Sequence, residues 1–274
     1  MWPSEMEFPG TFSDMFVRPP ETKHARDDEF IAYTTPTRAD YWWGAYLVSR
    51  VGVTKINLPT VLREWDIRLG SLIGIDKKII QWELPVGVIS SVPKDWSPKF
   101  LGRPASISTS TVLVAKPSKP LLTVPTHDMT LVEARTESDF AEILHMALAE
   151  LESTPESPAT EDFLRWKHDQ FHKGVLSAGG KWWMLKYKGE FVANCGLFNY
   201  GRTARFREVT THPRWRRQGF ARILCQQVLD EGFKDPAIEQ VVIVAECGSS
   251  AERVYRSIGF APHSLQFALM WDLK

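Results

Sequence analysis

One segment of this 274-residue chain limits its fold more than any other: a predicted strand, a basic turn, and a glycine that opens a predicted helix. The strand 204–211 ends before Pro213, which removes a ladder donor, and an amphipathic helix is predicted over 220–233. A helix start offers unsatisfied N–H groups and the positive end of the helix dipole, so a pyrophosphate can bind there. Gly219 allows close backbone approach, and the small Ala221 keeps the path open.

Three arginines surround this turn: Arg214, Arg216 and Arg217. Guanidinium groups donate several hydrogen bonds and suit phosphate oxygens. The turn therefore indicates an anion site. Taken alone, the same residues also fit a solvated basic turn that caps a helix.

Charge balance, the length of apolar runs and the cysteines indicate which classes of protein the chain can belong to. Lys+Arg and Asp+Glu both number 33, which argues against a generic nucleic-acid binder or a polybasic membrane binder. No apolar run is long enough to span a bilayer, and the N-terminus resembles no signal peptide. The three cysteines, Cys195, Cys225 and Cys247, cannot all pair and lie in apolar stretches. They are interpreted as core residues of a cytoplasmic protein.

The chain divides at a proline-flanked linker, 116–120. Before it, four prolines in 1–27 predict an arm with little regular structure, and 28–118 forms a first domain. The elements predicted there are strands 30–34, 78–84 and 110–115 and a helix over 59–69.

After the linker, 119–274 forms a second domain of about 150 residues. Its predicted strands are 129–134, 181–188, 191–200, 204–211, 240–246 and 264–272, and its predicted helices are 138–151, 160–173, 220–233 and 250–258. Ser138 is the expected cap of the first helix, and Gly189 indicates a hairpin. This order predicts a mixed α/β domain.

Two motifs in this domain carry a family resemblance. The first, Arg216-Arg217-Gln218-Gly219-Phe220-Ala221, resembles the acetyl-CoA loop R/Q-x-x-G-x-G/A of the GNAT superfamily of N-acetyltransferases. The second matches the later family pattern N-x-x-A-x-x-x-Y-x-x-x-G-F at Ala251, Tyr255, Gly259 and Phe260. Gly248 stands at the asparagine position, where Ser249 or Ser250 can replace the lost hydrogen bond.

The resemblance covers residues 126–274 and implies the GNAT fold, an α/β fold with a central mixed sheet flanked by helices. Residues 28–118 resemble, more weakly, the degenerate N-terminal half of two-domain GNAT proteins. The implied function is transfer of an acetyl group from acetyl-CoA to a primary amine in a ternary complex, with no metal. The cofactor-binding residues that it implies are Val209, Thr210, Thr211, Arg216, Arg217, Gln218, Gly219, Phe220, Ala221, Ser249 and Ala251. The implied partner is a small-molecule or peptide amine, bound by a monomer or homodimer.

Tyr255 is the expected general acid, because a hydroxyl with a pKa of about 10 suits the protonation of a leaving thiolate. The alternative is a core tyrosine whose ring packs on the helix. In the family, a main-chain N–H near 209–211 polarises the thioester carbonyl.

Glu208, on the strand beside the reaction centre, is the expected general base. The alternative is an exposed carboxylate that pairs with Arg205 or Arg207. His212, Glu246 and a chain of waters are the other possibilities for this role.

Two further functions stay open on sequence. A GNAT-shaped protein could hold CoA as a sensor and transfer nothing. His168 and His172, at i and i+4 on a helix, could instead chelate zinc, although Asp169 replaces the glutamate of the metalloprotease motif and no third ligand stands out.

Overall fold

The protein is described here from a computed structural model, which describes residues 7–38, 43–86, 96–118, 127–154, 159–178 and 180–274. Its chain divides into two compact units, and each unit is assembled from separate segments. Unit 1 contains Met1–Val112, Val244–Ser249 and Pro262–Lys274. Unit 2 contains Leu113–Ile243 and Ser250–Ala261. The predicted domain limits 28–118 and 119–274 follow chain order and stay a prediction.

Unit 1 is built on a sheet with strand order β1-β2-β3-β4-β13-β7. Its elements are α1 Pro9–Asp14, β1 Lys23–Arg26, β2 Phe30–Thr34, β3 Ala45–Ser49, α2 Leu58–Leu69, β4 Lys77–Pro85, the short strands β5 Lys99–Phe100 and β6 Arg103–Pro104, β7 Ser106–Ala115 and β13 Ala261–Asp272. The last strand of the chain pairs antiparallel with β4, from Ser264↔Pro85 to Asp272↔Lys77. Sequence order alone does not reveal this pairing.

The expectation for the N-terminal arm needs correction. The arm 1–27 contains helix α1 and strand β1 rather than little regular structure. Helix α1 is held because the buried Glu83 carboxylate accepts from the Thr11 N–H at 2.6 Å, which satisfies a donor of the first turn. The proline-rich composition did not show this buried partner.

Unit 2 is built on a sheet with strand order β12-β11-β10-β9-β8. Its elements are β8 Met129–Glu133, α3 Glu137–Glu152, α4 Glu161–Ala178, β9 Lys181–Tyr187, β10 Glu190–Tyr200, β11 Thr203–Thr211, α5 Phe220–Gly232, β12 Gln240–Glu246 and α6 Ser250–Arg256. Strands β8 to β11 pair antiparallel, and β11 pairs parallel with β12. The mixed sheet flanked by helices confirms the predicted fold class.

Local signals explain the ends of two elements. Lys188 and Gly189 both have positive φ, 50° and 85°, which gives the tight β9–β10 hairpin that the glycine predicts. Helix α3 begins differently from the prediction: Thr136, not Ser138, is its N-cap, in a reciprocal capping box with Asp139. The box places the helix cap two residues earlier than expected.

Candidate active site

Strand β11 carries a bulge where the predicted site begins. Thr210 pairs with Asn194, but the next pair is Arg207 with Gly196, so Glu208 and Val209 lie opposite a single residue of β10. Glu208 adopts φ 51°, a left-handed conformation that is uncommon for a residue with a side chain. Such a bulge bends the strand and redirects a side chain.

The parallel pairing between β11 and β12 stops at Arg205↔Val242. Beyond this point, residues 209–211 line a cavity of about 640 Å³. Where a strand loses its neighbour, main-chain donors and acceptors on that edge become available to a ligand. Because β11 and β12 separate after Arg205, main-chain groups of β11 are available to a ligand in the cavity.

The basic turn closes the end of the same cavity. Arg217 and Gly219 both adopt left-handed backbone conformations, with φ of 65° and 86°. Gly219 is the N-cap of α5 and makes no side-chain cap, since it has no side chain. The first-turn N–H groups of α5 are therefore not covered by a capping side chain, and Phe220, Ala221 and Arg222 line the cavity.

Arg216 is fixed on two sides. Its Nη2 lies 2.8 Å from the Glu150 carboxylate of α3, and its Nε donates to the Thr211 carbonyl at 3.3 Å. Both Arg216 and Glu150 line the cavity. The guanidinium is thus held at the wall, where its remaining donors can meet an anion.

The structure brings most of the predicted binding residues together. Those that line the cavity are Val209, Thr210, Thr211, Arg216, Arg217, Gly219, Phe220, Ala221, Ala251 and Tyr255. Gln218 and Ser249 are absent from its lining, whereas Ser250, the other serine expected to replace the lost hydrogen bond, is present. Sequence reasoning missed Glu150, Trp215, Arg222, Arg253, Val254 and Ser257. Arg222 carried a signal, because it is a cation in the first turn of the predicted helix.

Tyr255 lies on α6 in the wall of the cavity and is buried. Its ring contacts that of Phe260 edge to face, with centroids 6.2 Å apart. Burial raises the pKa of the Tyr255 hydroxyl, and the nearby Cys225 and Cys195 act in the same direction. The hydroxyl is therefore a neutral O–H donor at physiological pH.

A second cavity, of about 210 Å³, lies next to Glu208, the expected general base. It is lined by Ala147, Glu150, Leu151, Thr154, Ala159, Leu164, Lys167, His168, Glu208 and Thr210. Glu150 and Thr210 line both cavities, so these two residues are shared by their walls. Glu208 belongs to the second cavity rather than to the first.

Glu208 is half-buried and paired with two cations. Its Oε2 lies 2.6 Å from Lys167 Nζ, and its Oε1 lies 3.5 Å from Arg207 Nε. Burial alone would raise the pKa of Glu208, but the attraction of Lys167 and then Arg207 outweighs it and lowers the pKa to about 2. The pairing with Arg207 matches the alternative that the sequence left open, although the side chain is not exposed.

Replacing Glu208 by glutamine is expected to lower the free energy of unfolding by about 1–3 kcal/mol at pH 7, because two cations lose their shared carboxylate. Folding lowers the Glu208 pKa from 4.5 to about 2, so the carboxylate stabilises the folded state above pH 4.5 and loses this effect as the pH falls towards 2. Urea unfolding of both proteins from pH 7 down to pH 3 should show the difference narrowing.

The matched control is Glu190→Gln, which removes an exposed ion pair with Arg214 at 2.9 Å. Exposed pairs contribute about 0–1 kcal/mol, so this variant should stay close to wild type. A Glu208→Gln deficit that is the same at pH 7 and pH 3 would contradict the lowered pKa.

The other proposed bases have no comparable position. His212 Nδ1 accepts from the Arg214 N–H at 3.2 Å, and partial burial lowers the His212 pKa. Glu246 is exposed. Neither residue lines the two cavities described above.

The two helical histidines have separate surroundings. His168 lines the second cavity, and burial followed by the repulsion of Lys167 lowers its pKa to about 4, so its ring is neutral at pH 7. His172 stacks on Phe140, with ring centroids 3.9 Å apart. Among the described residues, no group of three or more His, Cys, Asp and Glu side chains could hold a metal ion.

The interpretation of all three cysteines as core residues is wrong for one of them. Cys195 on β10 and Cys225 on α5 are buried, and burial raises the pKa of both thiols. Cys247 is exposed, because β12 ends at Glu246 and the chain turns there.

The comparisons with known proteins agree with this geometry. Residues 140–260 match the family model described as "Acetyltransferase (GNAT) family". No curated protein has a sequence that matches the chain significantly. None of the described helices has the length and apolar character needed to cross a membrane.

Solved structures share the fold over nearly the whole chain. A functionally unknown conserved protein of Staphylococcus epidermidis has a TM-score of 0.67 at 10% identity, covering 95% of this chain and 97% of its own. A GCN5-related N-acetyltransferase from Kribbella flavida has a TM-score of 0.61 at 16% identity, with 96% and 93% covered. A tandem GNAT protein from the clavulanic acid biosynthesis pathway has a TM-score of 0.56 at 13% identity, with 98% and 88% covered.

Proposed function

We propose that this protein, which carries an acetyltransferase domain of the GNAT family over residues 140–260, transfers the acetyl group of acetyl-CoA to a primary amine in a ternary complex. The observation that carries the proposal is the first cavity. Its wall joins an unpaired strand edge, a helix N-terminus without a capping side chain, and a fixed arginine. These groups suit a thioester carbonyl, a pyrophosphate and its negative charge, respectively.

The α5 N-terminus, with Arg216 and Arg217, would hold the pyrophosphate, and Val209 and Thr211 would offer main-chain groups to the pantetheine arm and thioester. The amine nitrogen forms a bond to the acetyl carbon as the carbon–sulfur bond breaks. Tyr255 would donate its proton to the departing thiolate and recover one from solvent.

Glu208 takes a different role in this proposal from the one that sequence suggests. A carboxylate with a pKa of about 2 is a poor acceptor for the proton of an ammonium group. We therefore assign the amine proton to water, and we assign Glu208 to the positioning of Lys167, with which it pairs.

Acetyl-CoA is expected to raise the melting temperature by about 5–10 °C at a hundred times its Kd, since such binding adds about 2.7 kcal/mol. Differential scanning fluorimetry measures this shift, with ADP and pantetheine as partial ligands. CoA release in the presence of a panel of primary amines then tests transfer. A melting shift without CoA release would favour the non-catalytic CoA sensor, and no shift would contradict the site itself.

A further inference from the structure

The second cavity has the position and size of an acceptor site. It shares Thr210 and Glu150 with the wall of the first cavity, and Thr210 belongs to the strand edge proposed to hold the thioester. Its volume of about 210 Å³ lies below the range of about 300–1,000 Å³ that is typical of pockets for drug-sized ligands. An amine that enters it is therefore small.

Among the described residues, the charges of the ion pairs at this cavity do not balance. Lys167 and Arg207 share the single carboxylate of Glu208, and the side chains of both cations are only 18% exposed. The Nε atom of Arg207 is buried and forms no hydrogen bond. Glu150, the other carboxylate in the lining, already pairs with Arg216 at 2.8 Å. Counted over the described residues that line this cavity and their ion-pair partners, three cations, Lys167, Arg207 and Arg216, meet two carboxylates. This leaves one positive charge in excess beside a partly buried space, where an anionic partner is most favourable.

The rest of the lining adds no charge. His168 is neutral at pH 7, because burial and the repulsion of Lys167 lower its pKa to about 4. The remaining residues are small or apolar, with two hydroxyl groups: Ala147, Leu151, Thr154, Ala159, Leu164 and Thr210. Such walls accommodate a short hydrocarbon segment between two polar ends of a ligand.

We propose that the acceptor is a small amino acid, whose carboxylate pairs with Lys167 while its amine points towards Thr210. This inference rests on the acetyl transfer proposed above. An incoming carboxylate would supply the second negative charge for two cations, and Glu208 would keep its pairing with Arg207. Lys167 is then the residue that determines acceptor specificity.

The test compares each amino acid with its amide, which keeps the amine and removes the negative charge. Glycine, L-alanine and β-alanine and their three amides are assayed by CoA release with the full chain and saturating acetyl-CoA. Rates are referred to the concentration of neutral amine, because the amides lose their ammonium proton more readily. We expect kcat/KM to favour the acids by about tenfold or more, the loss typical of a truncated charge-assisted contact.

Lys167→Met is expected to bring each acid and its amide to within about twofold, because the cation is gone, whereas Lys167→Arg should keep the preference for acids. Lys173→Met is the matched control. Lys173 lies on the same helix, is exposed, pairs with Asp169, and lines neither cavity. Thermal unfolding of each variant checks that it folds.

Two results would overturn the inference while leaving acetyl transfer in place. One is a wild-type protein that acetylates amides as efficiently as acids. The other is an acid preference that survives in Lys167→Met.

A calorimetric titration of N-acetylglycine and of its amide into the protein with CoA does not depend on turnover. If no amine is acetylated, the proposed function fails, and this titration decides the carboxylate site separately. The site is supported if the wild type binds N-acetylglycine but not its amide, and if Lys167→Met no longer binds N-acetylglycine. Equal or absent binding of the two compounds overturns it.

Discussion

Replacing Tyr255 by phenylalanine is expected to lower kcat for acetyl transfer by about 10²-fold, with a change of less than about twofold in KM for acetyl-CoA. The change removes one oxygen atom and keeps the ring that contacts Phe260. Because burial raises the pKa of this hydroxyl, it stays protonated throughout the assay range and can donate to the departing thiolate. Steady-state kinetics with the best amine of the panel measures both constants.

Tyr200→Phe is the control, since Tyr200 is 56% exposed at the end of β10 and lines neither cavity. It should keep wild-type kcat. A Tyr255→Phe protein with unchanged kcat would show that the thiolate leaves without this proton. A rise in KM alone would instead give Tyr255 a binding role.

Replacing Gly219 by glutamate is expected to weaken acetyl-CoA binding by about 100-fold or more, because a carboxylate would then compete for the N-terminus of α5. Equilibrium titration with acetyl-CoA gives the Kd, and the melting shift of the wild type should disappear. Gly219→Ala should lose much less affinity, since it adds no charge.

Gly189→Glu is a matched control for the backbone cost. Gly189 has φ 85° and Gly219 has φ 86°, and a Cβ atom at either position meets nothing within 4 Å. Both variants therefore carry the same conformational penalty in open space, but Gly189 lies in the β9–β10 hairpin and lines neither cavity. Equal losses of acetyl-CoA affinity in the two variants would contradict the phosphate-binding role of Gly219.

Elements whose signals are local could be predicted from the sequence. The helix α5 was expected over 220–233 and spans Phe220–Gly232, and the hairpin at Gly189 is present. The loop motif located most of the first cavity for the same reason, since its residues follow one another along the chain.

Features that depend on distant partners could not be predicted. Glu83 holds helix α1 from about seventy residues away in the chain, and composition gives no sign of it. Lys167 meets Glu208 across 41 residues, and the bulge that turns Glu208 towards it depends on the register of two strands. The sequence therefore indicated the chemistry of Glu208 but not the partner that sets its charge state.

The three cysteines differ in solvent exposure, so their reaction with a thiol reagent reports local unfolding of the protein. A thiol reagent can reach Cys247 in the folded protein, whereas Cys195 and Cys225 lie sealed between strand β10 and helix α5. Helix α5, which carries Cys225, is the helix whose N-terminus is proposed to hold the pyrophosphate. The rate at which a second and a third thiol per chain are alkylated therefore measures how often helix α5 separates from its sheet, and no engineered label is needed.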